Sequence, residues 1–182
     1  MLISVGTGRI VVPIKPLGVA LKFPRIKFFL ACHMVFYTLV RPPSQILRAI
    51  SAQFRFKSTQ RATIKGALFG GLVENWGEYR FYTKTKNQFL QPTYFSFLGL
   101  VNIQKFGYPI PTEYDGVVWR EKIWSRLVRI TDREVLKDPH HFEGPDNLCR
   151  DGCRVRICDY GSQQTQTLIT KFGERMYKEI VL

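Results

Sequence analysis

The chain contains 182 residues, of which 45% are hydrophobic and 14% aromatic, and this composition excludes an intrinsically disordered protein. The length allows one hydrophobic core with extensions and excludes two domains of ordinary size. Lysine and arginine number 27 against 14 aspartate and glutamate, so the formal net charge of +13 favours a polyanionic partner, with nucleic acid first and an anionic membrane second.

The positive charge is concentrated in the first two-fifths of the chain. Glu74 is the first acidic residue, and eleven lysines and arginines precede it. This composition is typical of a mitochondrial transit segment, and residues 55–58 look like a presequence cleavage region. A basic segment stays ordered only where an anionic or apolar partner holds it. We therefore predict a protein of the mitochondrial matrix whose N-terminal segment threads into RNA or packs on a neighbouring protein.

Residues 1–41 are predicted to form a partly extended arm, because three prolines oppose a long helix. Within the arm, residues 28–40 are a mostly apolar run. A helix that spans a bilayer needs about 20 such residues, so we predict a buried helix or an interfacial segment, with a short membrane anchor as the alternative. Residues 44–57 are predicted to form an amphipathic helix, because their apolar residues recur at helical spacing.

Proline and glycine clusters divide the chain into three parts. These are a basic arm at residues 1–57, an aromatic-rich extension at 58–111 and a C-terminal unit at 112–182. In the extension, the aromatic and branched residues of 94–101 predict a buried strand.

The C-terminal unit shows short strand patterns separated by turn residues. Residues 116–120 and 127–130 predict a hairpin, 153–158 and 165–170 predict two further strands, and 174–180 predict a short terminal helix. We therefore predict a mainly β fold: a small antiparallel barrel in the C-terminal part, with a basic, partly helical N-terminal extension.

Two groups of basic residues are candidate RNA contacts. In the strand 153–158, Arg154 and Arg156 alternate with apolar residues and would present two guanidiniums about 7 Å apart, a spacing that suits neighbouring phosphates. A solvated face paired with nearby aspartates is the alternative. In the segment 120–129, basic residues interleave with Trp119 and Trp124, a pattern that supports backbone contacts and base stacking. The alternative is that both tryptophans fill the core.

Evidence for catalysis or a metal site is weak in the sequence. His140 and His141 lie in a loop rich in turn residues, and Cys149, Cys153 and Cys158 lack the spacing of a zinc site, so we predict reduced, buried thiols. No phosphate-binding loop, nucleophile elbow or kinase signature is present. We therefore predict a protein that is not an enzyme and has no catalytic residues, no cofactor, no metal and no small-molecule substrate.

A resemblance gives these patterns a possible identity. Gly116-Val117-Val118, Glu121-Lys122-Ile123 and Leu127-Val128 resemble, without gaps, the opening hairpin of the seventeenth small-subunit ribosomal protein family. Asp132-Arg133, Lys137-Asp138-Pro139, Asn147 to Gly152 and Val155-Arg156-Ile157 resemble later motifs of that family. The likeness covers about a third of the chain. Cys153 replaces an aspartate of the family, and neutral residues replace its later basic signature at 162–166.

The resemblance implies an oligonucleotide-binding (OB) type barrel on small-subunit ribosomal RNA, with Lys122, Arg126, Arg154 and Arg156 as contacts. We therefore predict a structural protein of the small subunit of the mitochondrial ribosome, with ribosomal RNA and neighbouring ribosomal proteins as partners. Membrane contact is not favoured, and an accessory subunit of an inner-membrane respiratory complex is the alternative. The full set of predicted RNA-binding residues is Arg55, Lys57, Arg61, Lys65, Arg120, Lys122, Arg126, Arg129, Arg154 and Arg156.

Overall fold

The structure, a computed structural model, describes residues 4–5, 8–54, 63–111, 116–143 and 145–182. Helices account for 55% and strands for 22% of it. The strands form two small open antiparallel sheets, and no closed barrel occurs in the part of the chain that the structure describes. The prediction of a mainly β fold with an OB-type barrel is therefore wrong. The fold combines α-helices and β-sheets.

Eight strands build the two sheets. The larger sheet has the order β1-β2-β3-β5-β4, and the smaller has the order β6-β7-β8. Every pairing within the sheets is antiparallel. The strands are β1 (Ser4–Val5), β2 (Arg9–Ile14), β3 (Val19–Pro24), β4 (Thr93–Phe97), β5 (Val101–Lys105), β6 (Tyr108–Pro109), β7 (Leu148–Asp151) and β8 (Arg154–Ile157).

Seven α-helices cover or flank these sheets in the described chain, and they are supplemented by short 3-10 turns. A π-helical turn at Arg120–Trp124 joins the fourth helix to the fifth. The helices are α1 (Phe28–Leu39), α2 (Pro43–Phe54), α3 (Ile64–Thr85), α4 (Gly116–Trp119), α5 (Ser125–Ile130), α6 (Pro139–Phe142) and α7 (Gln163–Glu179).

The predicted hairpin at 116–130 is helical instead. Ile123, Leu127 and Ile130 are buried at helical spacing on one side of the π-helical turn and α5, which shows that burial of an apolar helical face outweighs the β propensity of Val117 and Val118.

The predicted strand at 165–170 lies inside α7 for the same reason. Leu168, Ile169 and Phe172 pack in the core, and the Ser162 hydroxyl caps the helix by accepting a hydrogen bond from the Thr165 N–H at 3.1 Å.

Other predicted elements are confirmed. The structure has a helix at Pro43–Phe54, close to the predicted 44–57, and strand β8 alternates buried Val155 and Ile157 with Arg154 and Arg156 as expected. Residues 28–39 are helical, and most of the side chains of α1 face solvent. Of the two predicted possibilities, the buried helix is therefore wrong, and the interfacial segment stays a prediction.

The main hydrophobic core lies in the C-terminal half. Here α5 and α7 pack with β7, β8 and the segment that follows α3. Its largest fully buried side chains include Phe89, Phe142, Tyr160 and Met176. Most of these core residues lie in the C-terminal unit, where the sequence predicted a barrel, but here they pack around helices.

The larger sheet has polar side chains on its buried face and apolar side chains on its outer face. Lys22 and Asn102 are opposite each other in the ladder and are buried against α3. Thr93 and Gln104, further along the same face, are buried against Tyr160 and the Cys158 carbonyl. Residues opposite each other lie on the same face of a sheet. The other face therefore carries the row Val12, Leu21, Ile103 and Phe95, together with the pairs Ile10–Phe23 and Phe97–Val101.

A buried ion cluster joins the N-terminal strands to the rest of the chain. The fully buried carboxylate of Glu78 on α3 forms two ion pairs, one with Arg9 Nη1 at 2.5 Å and one with Lys22 Nζ at 3.0 Å. Arg9 also pairs with Asp159, and the backbone N–H of Tyr160 donates to Glu78 at 3.0 Å. These contacts connect residues far apart in sequence through one carboxylate.

We expect Glu78→Gln to destabilise the protein by about 3–5 kcal/mol, because two buried cations lose one partner. Urea unfolding followed by circular dichroism measures this change. Glu179→Gln is the matched control, since Glu179 pairs with Arg175 on the surface of α7 at 3.5 Å, and a loss below about 0.5 kcal/mol is expected. Equal stability of the two variants would contradict the role given to Glu78.

Candidate nucleic-acid interface

Three predicted RNA-binding residues lie together on the outside of the fold. Lys122 in the π-helical turn and Arg126 and Arg129 on α5 recur at helical spacing, in a row next to the buried Ile123 and Leu127. Arg126 and Arg129 form no hydrogen bond or ion pair with any residue that the structure describes. We call Lys122, Arg126 and Arg129 the basic stripe.

Arg154 and Arg156 bind the protein itself. Arg154 donates to the Tyr177 carbonyl at 3.1 Å and also to that of Lys178. Arg156 donates to the carbonyls of Gln88 at 2.6 Å and Leu90 at 3.1 Å. Both guanidiniums lie over the Tyr177 ring. They therefore tie the end of α7 and the segment after α3 to β8. Their predicted contacts with phosphates stay a prediction.

The structure describes only part of the remaining predicted contacts. Lys65 lies in the first turn of α3, where it contacts other residues. Arg120 lies in the π-helical turn, and its side chain is not described. Arg55, Lys57 and Arg61 lie outside the described residues.

The two tryptophans beside the basic stripe belong to the core. Trp119 is 3% exposed, and its indole N–H donates to the Glu143 carbonyl at 2.7 Å. Trp124 packs against the same core from its edge. Base stacking on Trp119 is therefore excluded, and the alternative interpretation of the tryptophans as core residues is confirmed for Trp119.

The histidine pair lines a polar surface pocket of about 520 Å³ at the start of α7. The His141 ring is hydrogen-bonded through Nδ1 to Asp138 at 2.7 Å, and its Nε2 lies 3.8 Å from Asp159. Burial lowers the pKa of His141, but the Asp138 hydrogen bond and the charges of Asp159 and Asp138 outweigh it, so the pKa lies above the ordinary 6.5. The two neighbouring carboxylates therefore favour the protonated form of the His141 ring, which has no free nitrogen lone pair to accept a proton.

Asp159 links this histidine to the buried ion cluster. Burial raises its pKa, yet the charges of Arg9, Lys22 and His141 together lower it to about 2. The carboxylate therefore stays ionised throughout the physiological range and holds Arg9 in place.

The cysteines do not gather around a metal. Cys149 is buried, Cys158 is partly buried and Cys153 is exposed, so the prediction of buried thiols is wrong for Cys153. A hydrogen bond with Cys158, followed by burial, raises the pKa of Cys149 and keeps it a thiol. No group of three or more histidine, cysteine or acidic side chains suited to a metal ion occurs among the residues described.

The residues that sequence reasoning missed are the charged groups of the buried cluster. The basic N-terminal segment was predicted to be held by RNA or a neighbouring protein, but two of its cations, Arg9 and Lys22, pair with carboxylates of the same chain. Glu78 was the feature of the sequence that could have indicated this cluster. It is one of the first two acidic residues after a long basic segment, and it recurs with Gly71 and Asn75 on one face of a helix.

Comparisons with protein-family models, with curated proteins and with solved structures find no match to this chain. Its function must therefore be inferred from its own residues and their geometry.

Arg156→Ala should lower the free energy of unfolding by about 1.5–3 kcal/mol, because two carbonyls lose a charged donor and Asp151 loses one of its two ion pairs. Chemical denaturation measures this. Arg129→Ala, which removes an unpaired surface guanidinium, should change stability by less than about 0.5 kcal/mol. The reverse order of the two effects would contradict the structural role of Arg156.

The raised pKa of His141 predicts a pH-dependent stability. Its contribution is fully present below the unfolded pKa near 6.5 and is lost as the pH rises through the higher folded value. Titration of the His141 ring by NMR should give a midpoint above 6.5. Asp138→Asn should lower that midpoint, since it replaces the negatively charged acceptor of the His141 ring with a neutral amide, and an unchanged midpoint would refute the pairing.

Proposed function

We propose that the protein is a non-enzymatic RNA-binding component of a larger assembly. The observation that carries the proposal is the basic stripe, which places Lys122, Arg126 and Arg129 in one row beside the helix's buried face. Neighbouring cations on one helical face lie about 5–6 Å apart and can contact one phosphate backbone together.

The overall charge supports the same partner. The chain carries a net charge of +13, and only part of its basic surplus is used internally. Arg9, Lys22, Arg154 and Arg156 bind carboxylates or carbonyls of the same chain. The stripe cations Arg126 and Arg129 have no such partner in the described chain, so they are the residues through which a polyanion would be bound.

The mode of binding differs from the one that the ribosomal resemblance implied. The segment that resembles the family's hairpin is helical here, so the OB-type surface does not contribute. RNA binding would use the sugar-phosphate backbone, since the neighbouring Trp119 is buried and cannot stack on bases. We retain the mitochondrial small ribosomal subunit and the matrix as the assembly and compartment to test first.

Substituting the two arginines of the basic stripe should weaken RNA binding and make the affinity less dependent on salt. We expect Arg126→Ala/Arg129→Ala to reduce the slope of log affinity against log salt by about 2, because each lost phosphate contact releases about one fewer counterion. Filter binding of the full-length protein to structured RNA over a salt series measures the slope.

A matched control separates the stripe from net charge. Lys84→Ala/Arg175→Ala removes the same two charges from exposed positions on α3 and α7. It should leave the slope within about 0.5 of the original. Equal losses in both variants would sink the proposal. Co-sedimentation of tagged protein with the small ribosomal subunit, abolished by ribonuclease, tests the assembly.

A further inference from the structure

The helix α1 exposes large apolar side chains to solvent. Phe29 is 89% exposed and Phe36 is 66% exposed, on the side opposite the buried Ala31 and Thr38. Seven large apolar side chains of this 12-residue helix are exposed in all: Phe28, Phe29, Leu30, Val35, Phe36, Tyr37 and Leu39. A contiguous apolar surface of this kind marks an interaction site.

The outer face of the larger sheet continues this surface. Helix α3 uses Ile64 and Ala67 to pack on α1, and Gly71 and Asn75 to pack on the sheet. These four residues recur on one side of α3. The surfaces of α1 and of the sheet that point away from α3 therefore lie on the same side of the molecule. We call them together the apolar face.

Close packing explains why the sheet cannot turn its apolar residues inward. A Cβ atom on Gly71 would lie 2.6 Å from the Gly8 carbonyl oxygen, so α3 and β2 are nearly in backbone contact there. The polar groups Lys22, Asn75 and Asn102 fill the space beside this contact with hydrogen bonds. The apolar residues of the same strands are consequently left on the outside.

Positive charge borders the apolar face around α1 and α2, and the ion pair of Lys105 with Asp151 borders it at the end of β5. Arg25 and Lys27 precede α1, Arg41 follows it, and exposed Arg48 lies on α2 next to exposed Leu47. No aspartate or glutamate occurs before residue 74. An occupant of this face must therefore combine an apolar interior with an anionic surface.

We propose that the apolar face lays the protein on the surface of a membrane that contains anionic lipid. Exposed aromatic and aliphatic residues on α1, with cations around them, match the boundary between acyl chains and headgroups. A second copy of the chain would place cations against cations, and RNA offers no apolar layer for Phe29 and Phe36. In the described chain no helix is long and apolar enough to cross a bilayer, and α1 is only about 18 Å long.

Sedimentation with vesicles tests this proposal on the full-length protein. The protein should bind phosphatidylcholine vesicles that contain phosphatidylserine and bind pure phosphatidylcholine much less. Phe29→Glu/Phe36→Glu should reduce binding at least about tenfold, because two apolar anchors are replaced by carboxylates. Arg41→Gln/Arg48→Gln should reduce binding to the anionic vesicles by about fivefold for each residue.

The matched control lies on the opposite side of α3. Phe69 and Val73 are 48% and 56% exposed there, so Phe69→Glu/Val73→Glu introduces the same charges on another apolar surface. This variant should keep vesicle binding, and circular dichroism should show native helix content for every variant. Arg126→Ala/Arg129→Ala should also keep it while losing RNA affinity, which separates this proposal from the RNA-binding one.

Three results would overturn the proposal. The first is absence of binding to the anionic vesicles. The second is an equal loss of binding in the Phe69→Glu/Val73→Glu control. The third is self-association, abolished by Phe29→Glu/Phe36→Glu, in a protein that does not sediment with vesicles, and this would assign the apolar face to a second copy of the chain.

Discussion

The fold depends on the carboxylate of Glu78. It is the buried anion on which Arg9 from β2 and Lys22 from β3 converge, and it also accepts the Tyr160 backbone N–H. A buried cation without a partner costs several kcal/mol, so these strands can close on α3 only with the cluster complete. The cluster is also what brings Asp159 next to Arg9, and through it His141, into one electrostatic unit.

This arrangement has a consequence for the surface. Because the space between α3 and the larger sheet is filled by charged and amide groups, the apolar residues of β2, β3 and β5 lie on the outer face. The N-terminal half therefore has an interior that is polar and an exterior that is largely apolar. The C-terminal half has the usual order, with Phe89, Leu127 and Ile169 inside and the basic stripe outside.

The two proposed surfaces divide the molecule in the same way. The apolar face belongs to the N-terminal helices and strands, and the basic stripe belongs to α5, which packs on α7. A protein with both would hold RNA near a membrane surface. The positive charge serves both partners, since phosphates of lipid and of RNA are anions, but only lipid covers Phe29 and Phe36 as well.

The sequence by itself determined the composition-level facts: an acid-free basic segment, the helix at residues 43–54, the alternation of Arg154 and Arg156 with core residues, and an apolar run too short to cross a bilayer. It predicted the end of the last helix at 174–180, but it did not reveal the helical structure at 116–130 and 163–173. Valine, isoleucine and threonine suggested strands there, and β propensity is a weak preference that burial of Leu127 or Ile169 overrides. Only the tertiary structure decided which cations are satisfied internally and which face outward. The reason is that Arg9 and Glu78 are 69 positions apart along the chain, and an ion pair at that separation has no local pattern in the sequence.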